Sequence, residues 1–476
     1  MAPIHDLDAM LRPQSIAVVG AARDKPGATW VDMFGQIVEF GYQGRLYPIN
    51  PNADIIRGHK VYPDVTSLPE TVDLVIIALA AWTVPAILEE CVATGHRNVH
   101  VFSAGFGETG EEDGLGLQRK IEQIATKGEL RVIGPNSMGI YSPSQRLVTW
   151  ANAPTQPGEV GILAQSGGFA DAIVGYGSQL GLGFSTVVNY GSGLTLDATD
   201  FINYLSTDPE TAVIGAYLEG VADGRRLLEV VRQANRSKPV LILKPGRTEA
   251  ATRAAASHTG SLAGDDRIWQ AFFAQTGAIR VESVQEMGQT ILSLLRLPPP
   301  PGRGVAILGT GGGASVAAAD AAGRAGLEIP KISDEGLERL RLVIPAAGNI
   351  ITNPIDAHDV LNDPALMPEV FDTLGVDPDI DMVIVYFHID WMYDVAPDRV
   401  RVLATFLAES ARSHLNGKPL VASWRSFRTG DEYRLVVAEM ETILLESGVP
   451  VYPDIDAAVG VLARLATYHG FIGDVV

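Results

Sequence analysis

The chain has 476 residues, 46% of them hydrophobic and 19% charged, which is too long for one ordinary domain and apolar enough for about two to four. A net charge of −20 argues against nucleic acid or an anionic membrane surface as a main partner, and confines any phosphate site to local backbone N–H groups and a few basic side chains. Cys91 is the single cysteine, so no internal disulfide or cysteine metal cluster is expected and a reducing cytoplasm is the natural home.

Residues 1–15 carry charges and prolines without the apolar run of a signal peptide, and no stretch approaches the length of a membrane span. The first short apolar run, 15–20, ends at glycine, and similar runs follow at 45–51, 74–79, 98–102 and 130–134. Helix-period segments such as 83–94 and 116–126 separate them. Short buried strands alternating with helices mean a parallel sheet covered on both faces. This predicts a Rossmann-like domain over residues 1–148.

Residues 154–158 read as a linker, and the alternation resumes with strands at 160–164, 184–188, 212–217 and 239–243. A second α/β domain is thus expected over 155–297, closed by four consecutive prolines at 298–301. The remainder, 302–476, looks like a copy. The run 304–313 with its Gly-Thr-Gly-Gly-Gly ending parallels 160–168, Asp377-Pro378 parallels Asp208-Pro209, and Lys418-Pro419 parallels Lys238-Pro239. Both read as flavodoxin-like parallel-sheet domains.

Four loops have the composition of anion cradles. Gln165-Ser166-Gly167-Gly168 follows a strand and opens a helix, where glycines admit a ligand and the helix N-terminus offers free N–H groups. An ordinary glycine turn has the same appearance. Gly20-Ala21-Ala22-Arg23, with Lys25, follows the first strand but lacks a full dinucleotide fingerprint. Asn50-Pro51 and Ala104-Gly105-Phe106 end the second and fourth strands, at the carboxyl edge where a nucleotide should lie.

The most informative segment is Ser257-His258-Thr259-Gly260-Ser261, which follows the strand-and-turn run 240–247. A histidine among small residues beyond the carboxyl end of a parallel strand stands where α/β sheets bind ligands. Read from the residues alone, His258 is either a nucleophile or a loop histidine that satisfies a hydrogen bond. Glu219, in Tyr217-Leu218-Glu219-Gly220, ends the preceding strand; it is either a solvated strand-end carboxylate or the group that orients the imidazole.

The histidine loop, the Gln165–Gly168 loop and the Tyr-Leu-Glu-Gly strand end together resemble the NDP-forming acyl-CoA synthetases. That family includes the ADP-forming acetate–CoA ligases and is related to succinyl-CoA synthetase. The resemblance runs from about residue 11 to 468 and matches the three-domain alpha subunit. It implies a phosphohistidine at His258, supported by Glu219, with Gln165, Ser166, Gly167 and Gly168 around the phosphoryl group. It implies coenzyme A on the first domain, near Gly20, Ala21, Ala22, Arg23, Lys25, Asn50, Pro51, Ala104, Gly105, Phe106 and Asn136. Asn136 lies in Gly134-Pro135-Asn136-Ser137-Met138-Gly139, where Ser137 replaces the family's usual cysteine. Asn189-Tyr190-Gly191-Ser192 departs from the family's Ser-x-Gly-Asn pattern, which leaves the substrate open and puts catalytic competence in doubt.

The implied reaction converts a carboxylic acid, coenzyme A and ATP reversibly to acyl-CoA, ADP and phosphate through an acyl phosphate and phosphohistidine. Neither a Walker A sequence nor an ATP-grasp region is recognisable. The resemblance therefore implies an ATP-grasp beta subunit that carries ATP/ADP and Mg²⁺, a hetero-oligomer, and no metal site on this chain. Trp150, Tyr190 and Trp269 are candidates for an acyl pocket, although each residue type is more often core or surface. Two other readings compete: a coenzyme A or acyl-CoA sensor without turnover, and a nucleotide-dependent oxidoreductase. The poor dinucleotide fingerprint counts against the second.

Overall fold

A computed structural model describes residues 5–21, 32–151, 153–247, 265–345, 347–363, 365–395 and 397–475. His258 with its loop, and Ala22, Arg23 and Lys25, lie outside the described residues. The chain divides into two compact units, Met1–Gly288 and Gln289–Val476.

The first unit holds two large sheets and a two-stranded one, Ile55–Ile56 paired antiparallel with His59–Lys60. Strands Ser15–Val19, Arg45–Ile49, Leu74–Ile77, Asn98–Val101 and Arg131–Ile133 form the first large sheet, all parallel, in spatial order 2-1-3-4-5. Ser15–Val19 and Leu74–Ile77 are buried at every position, because helices cover both faces. The expected helices appear as Val84–Thr94 and Glu112–Lys127.

The second large sheet has a parallel core of Pro157–Ala164, Phe184–Asn189, Val213–Tyr217, Val240–Leu243 and Ile279–Val281, again ordered 2-1-3-4-5. Two short antiparallel strands, Gly139–Ser142 and Leu147–Val148, extend it beyond Phe184–Asn189. Sequence reading gave residues 139–148 to the first domain; the structure pairs them with the second sheet. Four- and two-residue strands are too short to show a period.

One apolar cluster runs through both large sheets of this unit, from Leu11 and Ile16 through Ile140 and Leu147 to Phe201 and Ile242. Polar ties reinforce it. Arg12 pairs with the buried carboxylate of Asp208 at 2.5 Å, and the Tyr204 hydroxyl donates to Asp8 at 2.9 Å.

The second unit is built on a parallel sheet of Val305–Gly309, Ile355–Asp356, Met382–His388, Leu420–Arg425 and Val451–Tyr452, in the same 2-1-3-4-5 order. Its likeness to the second sheet extends to single atoms. Lys238 Nζ donates to the Leu205 and Asp208 carbonyls at 2.9 and 2.5 Å. Lys418 Nζ donates to the Leu374 and Asp377 carbonyls at 3.0 and 2.7 Å. Each lysine sits just before a strand, at the amino end of its sheet. Among the described residues no helix is long and apolar enough to cross a membrane.

Candidate functional site

The carboxyl edge of the second sheet is assembled from three strand ends. Pro157–Ala164 runs out at Gln165, and the chain turns at once into the helix Gly167–Gln179. The Ser166 hydroxyl caps that helix by accepting from the Phe169 amide at 3.4 Å. Glycine at 167 leaves room for the Met138 side chain, whose sulfur a Cβ there would meet at 2.5 Å. Gly168 is exposed, so the first turn offers an anion its backbone N–H groups without a side chain in the way.

Gln165 braces the neighbouring strand end. Its side-chain oxygen accepts from the Glu219 amide at 2.5 Å and the Gly220 amide at 2.9 Å. Glu219 is only 5% exposed. The Tyr217 hydroxyl donates to its carboxylate, and burial plus that carboxylate push the Tyr217 phenol up to about 12. Tyr190 lies close as well. It is buried, its hydroxyl has no partner among the described residues, and burial with the charges of Asp197 and Glu219 pushes its phenol far up. Gln165, Ser166, Gly167, Gly168 and Glu219 are thus brought together.

The next strand, Val240–Leu243, ends at Lys244, which is 4% exposed. Its ammonium donates to the Pro245 carbonyl at 2.6 Å and stands 5.6 Å from the centre of the Trp269 ring. Burial pulls its pKa below the ordinary lysine value; Glu219 and, less, Asp266 oppose that, while Arg280 adds to it. A cavity of about 290 Å³ opens beside it, walled by Leu227, Leu228, Trp269 and Phe272 and bordered by Gly220.

A larger cavity of about 530 Å³ lies at the carboxyl edge of the first sheet, where Gly20, Asn50 and Pro51 line it. Gly20 has φ +94, and a Cβ there would meet the Ala78 carbonyl at 2.5 Å. Asn50 shapes the rim by donating to the Ala21 carbonyl at 2.9 Å and accepting from the Asn52 amide at 2.9 Å. Volume and position suit a nucleotide. The described ionisable side chains of the lining, Asp64 and Glu90, are acidic, and Trp82 stands at the rim 75% exposed. Sequence reading did not single out Trp82.

The remaining first-domain candidates are engaged elsewhere. Glu108 accepts from the Gly105 amide at 2.6 Å and the Phe106 amide at 3.2 Å, so an internal carboxylate occupies that nest beside Ala104. Asn136 has φ 54 and donates its amide to the Ser103 carbonyl at 2.9 Å. It belongs to the seam between the two sheets. Of the acyl-pocket candidates, Trp269 lines the smaller cavity, whereas Trp150 is buried against Tyr141.

Two family models match the chain: a CoA binding domain over residues 14–143 and a succinyl-CoA ligase like flavodoxin domain over residues 157–294. The alpha subunit of acetate–CoA ligase (ADP-forming) I from Pyrococcus furiosus is 33% identical over 467 residues, covering 96% of this chain and 97% of that one. The chain belongs to the ADP-forming acetate–CoA ligase family. A longer relative, acetate–CoA ligase (ADP-forming) II from Archaeoglobus fulgidus, is 32% identical, and the alignment covers 98% of this chain but 67% of that protein. Among solved structures, the Ca. Korarchaeum cryptofilum dinucleotide forming acetyl-coenzyme A synthetase 1, in complex with phosphate and ADP, superposes with a TM-score of 0.84 at 29% identity, covering 99% of each chain.

Within this ligase family the two departures noted above acquire a structural account. The Ser137 hydroxyl donates to the Asn189 carbonyl at 2.5 Å and accepts from the Gly139 amide at 3.0 Å, so it ties the turn to the second sheet. The Asn189 side chain accepts from the Met138 amide at 2.6 Å and donates to the Ala164 carbonyl at 2.9 Å. Gly191 has φ +56, and a Cβ there would lie 2.3 Å from the Pro135 carbonyl. Ser137, Asn189 and Gly191 thus lock the turn 134–139 against the strand end of the second sheet. Among the described residues no group of three or more His, Cys, Asp or Glu is placed to hold a metal ion.

Proposed function

We propose that this alpha-type chain carries the phosphoryl-relay half of an acid–CoA ligase (ADP-forming) and works in the cytoplasm with an ATP-grasp beta subunit. The observation that carries the proposal is the buried Glu219, held by Gln165 beside the open helix N-terminus at Ser166–Gly168, in a chain that aligns end to end with an ADP-forming acetate–CoA ligase alpha subunit.

The chemistry needs three things from this chain. An unprotonated imidazole nitrogen of His258 attacks the phosphorus of an acyl phosphate, and the carboxylate leaves as the free acid. Glu219 holds the ring in the reactive tautomer and stabilises the charge it acquires. Backbone N–H groups at Gly167 and Gly168 meet the charge on the transferring phosphoryl oxygens. The phosphoryl group then passes to ADP on the partner. Mg²⁺ bound with that nucleotide would neutralise its phosphates. Coenzyme A would lie on the first sheet, along Gly20, Asn50 and Pro51, with Arg23 and Lys25 for its phosphates.

The test is intact mass of the chain, mixed with its partner, before and after Mg-ATP. One acid-labile phosphoryl group is expected, absent in His258→Ala and slower on the order of 10–100-fold in Glu219→Gln, by analogy with the loss of a carboxylate that orients a metal-bound histidine. No mass gain with a competent partner present would leave coenzyme A sensing as the better account.

A further inference from the structure

We infer that the 290 Å³ cavity beside Lys244 is the acid subsite, and that it selects carboxylic acids with an apolar body larger than a methyl group. This rests on the acid–CoA ligase reading above.

The cavity has the make-up of a site for an amphipathic anion. Among the described residues Lys244 is the only charged one in the lining, and Leu227, Leu228, Trp269 and Phe272 supply hydrocarbon and aromatic walls. Its volume of about 290 Å³ is roughly twice that of a cavity that holds benzene. Acetate would leave most of it unfilled.

The ammonium argues for a carboxylate. A lysine carries three N–H donors, and this one is 4% exposed and hydrogen-bonded to a neutral carbonyl, that of Pro245. A nearly buried charge of this kind is costly without an anion in contact. A phosphate dianion would need several donors at once, and among the described residues the lining offers one ammonium and the Gln275 amide beside apolar groups. A monoanionic carboxylate with a ring or chain behind it matches both the charge and the walls. Location agrees, because Gly220 borders the cavity and directly follows Glu219. An acid seated here has its carboxyl group at the edge where the phosphoryl relay is proposed.

Phenylacetate and acetate are the probes, titrated calorimetrically against the complex of this chain with its partner. Phenylacetate should bind at least about tenfold tighter than acetate, and Lys244→Met should weaken it by at least about tenfold. Gly224→Leu provides an independent variant that fills the cavity. Gly224 borders it, and a Cβ there would meet nothing within 4 Å, so the fold should tolerate the change while phenylacetate is excluded. Equal binding of both acids, or phenylacetate binding unchanged in both variants, overturns the subsite. Phosphorylation by Mg-ATP on the same samples separates the two claims. Normal phosphorylation with unchanged acid binding sinks the subsite alone. Absent phosphorylation with binding lost in both variants sinks the ligase reading and leaves a carboxylate-binding cavity.

Discussion

At the scale of single residues, what was legible depended on whether the signal was local. Glu219 could be nominated because its Tyr-Leu-Glu-Gly setting matches the resembled family; the strand end alone allowed a solvated carboxylate as well. Lys244 could not, because a lysine before Pro-Gly reads as a solvated turn residue; the Trp269 ring 5.6 Å from its ammonium lies beyond the segment 248–264 in sequence. Gln165 was placed near an anion by its neighbours, yet its side chain serves the Glu219 and Gly220 amides. His100 was passed over as one apolar-strand residue among others. It is fully buried, its Nε2 lies 3.0 Å from the Ser137 carbonyl, and burial pulls its pKa down to about 4. The folded state therefore favours the neutral ring. Stability is complete above about pH 6.5, the unfolded value, and is lost as pH falls toward 4, by about 3 kcal/mol in all. Urea unfolding at pH 7 and 4.5 should show wild type losing about 2–3 kcal/mol more than His100→Gln. Equal losses would remove His100 from the acid response.

At the scale of elements, the long periodic helices and buried parallel strands were legible, and the short pieces were not. Strands of two residues such as Ile355–Asp356 and Leu147–Val148 exist only because a neighbour pairs with them. The helix Gly167–Gln179 was foreseen from its glycines, but the neighbour that Gly167 makes room for is distant in sequence: the Met138 side chain. Gln165 joins this helix entry to the strand end that bears Glu219. Gln165→Met would strand two buried amides, at Glu219 and Gly220, and should cost about 1–3 kcal/mol. The same variant should slow phosphoryl uptake, since Glu219 would lose its fixed position. Calorimetric melting and the rate of mass gain check both effects, and unchanged values in both would show that the brace is idle.

At the scale of the whole molecule, the copy relationship between the second and third regions was visible in the Asp-Pro and Lys-Pro dipeptides. What could not be read was that both lysines do the same thing, because their acceptors are backbone carbonyls about thirty to forty residues away. Lys238 belongs to the unit Met1–Gly288 and Lys418 to the unit Gln289–Val476. Each replacement by methionine should destabilise its own unit by about 1–3 kcal/mol, since two buried carbonyls lose a charged donor. Differential scanning calorimetry should show Lys238→Met and Lys418→Met shifting different transitions. A common shift would mean that the two units melt as one.

The twin lysines stand at the amino ends of their strands, and the groups that differ between the copies stand at the opposite ends. There one sheet has Gln165 and Glu219, and the other has Asp356 accepting from the Gly311 amide at 2.8 Å. An α/β sheet thus keeps its fastening and its working face a strand's length apart. Substitutions at the working face leave the fastening untouched, so a duplicated copy can abandon one chemistry and take up another while it continues to fold. For an engineer, the loops at the carboxyl edges are the exchangeable cassettes of this protein, and the two lysines are the bolts to leave in place.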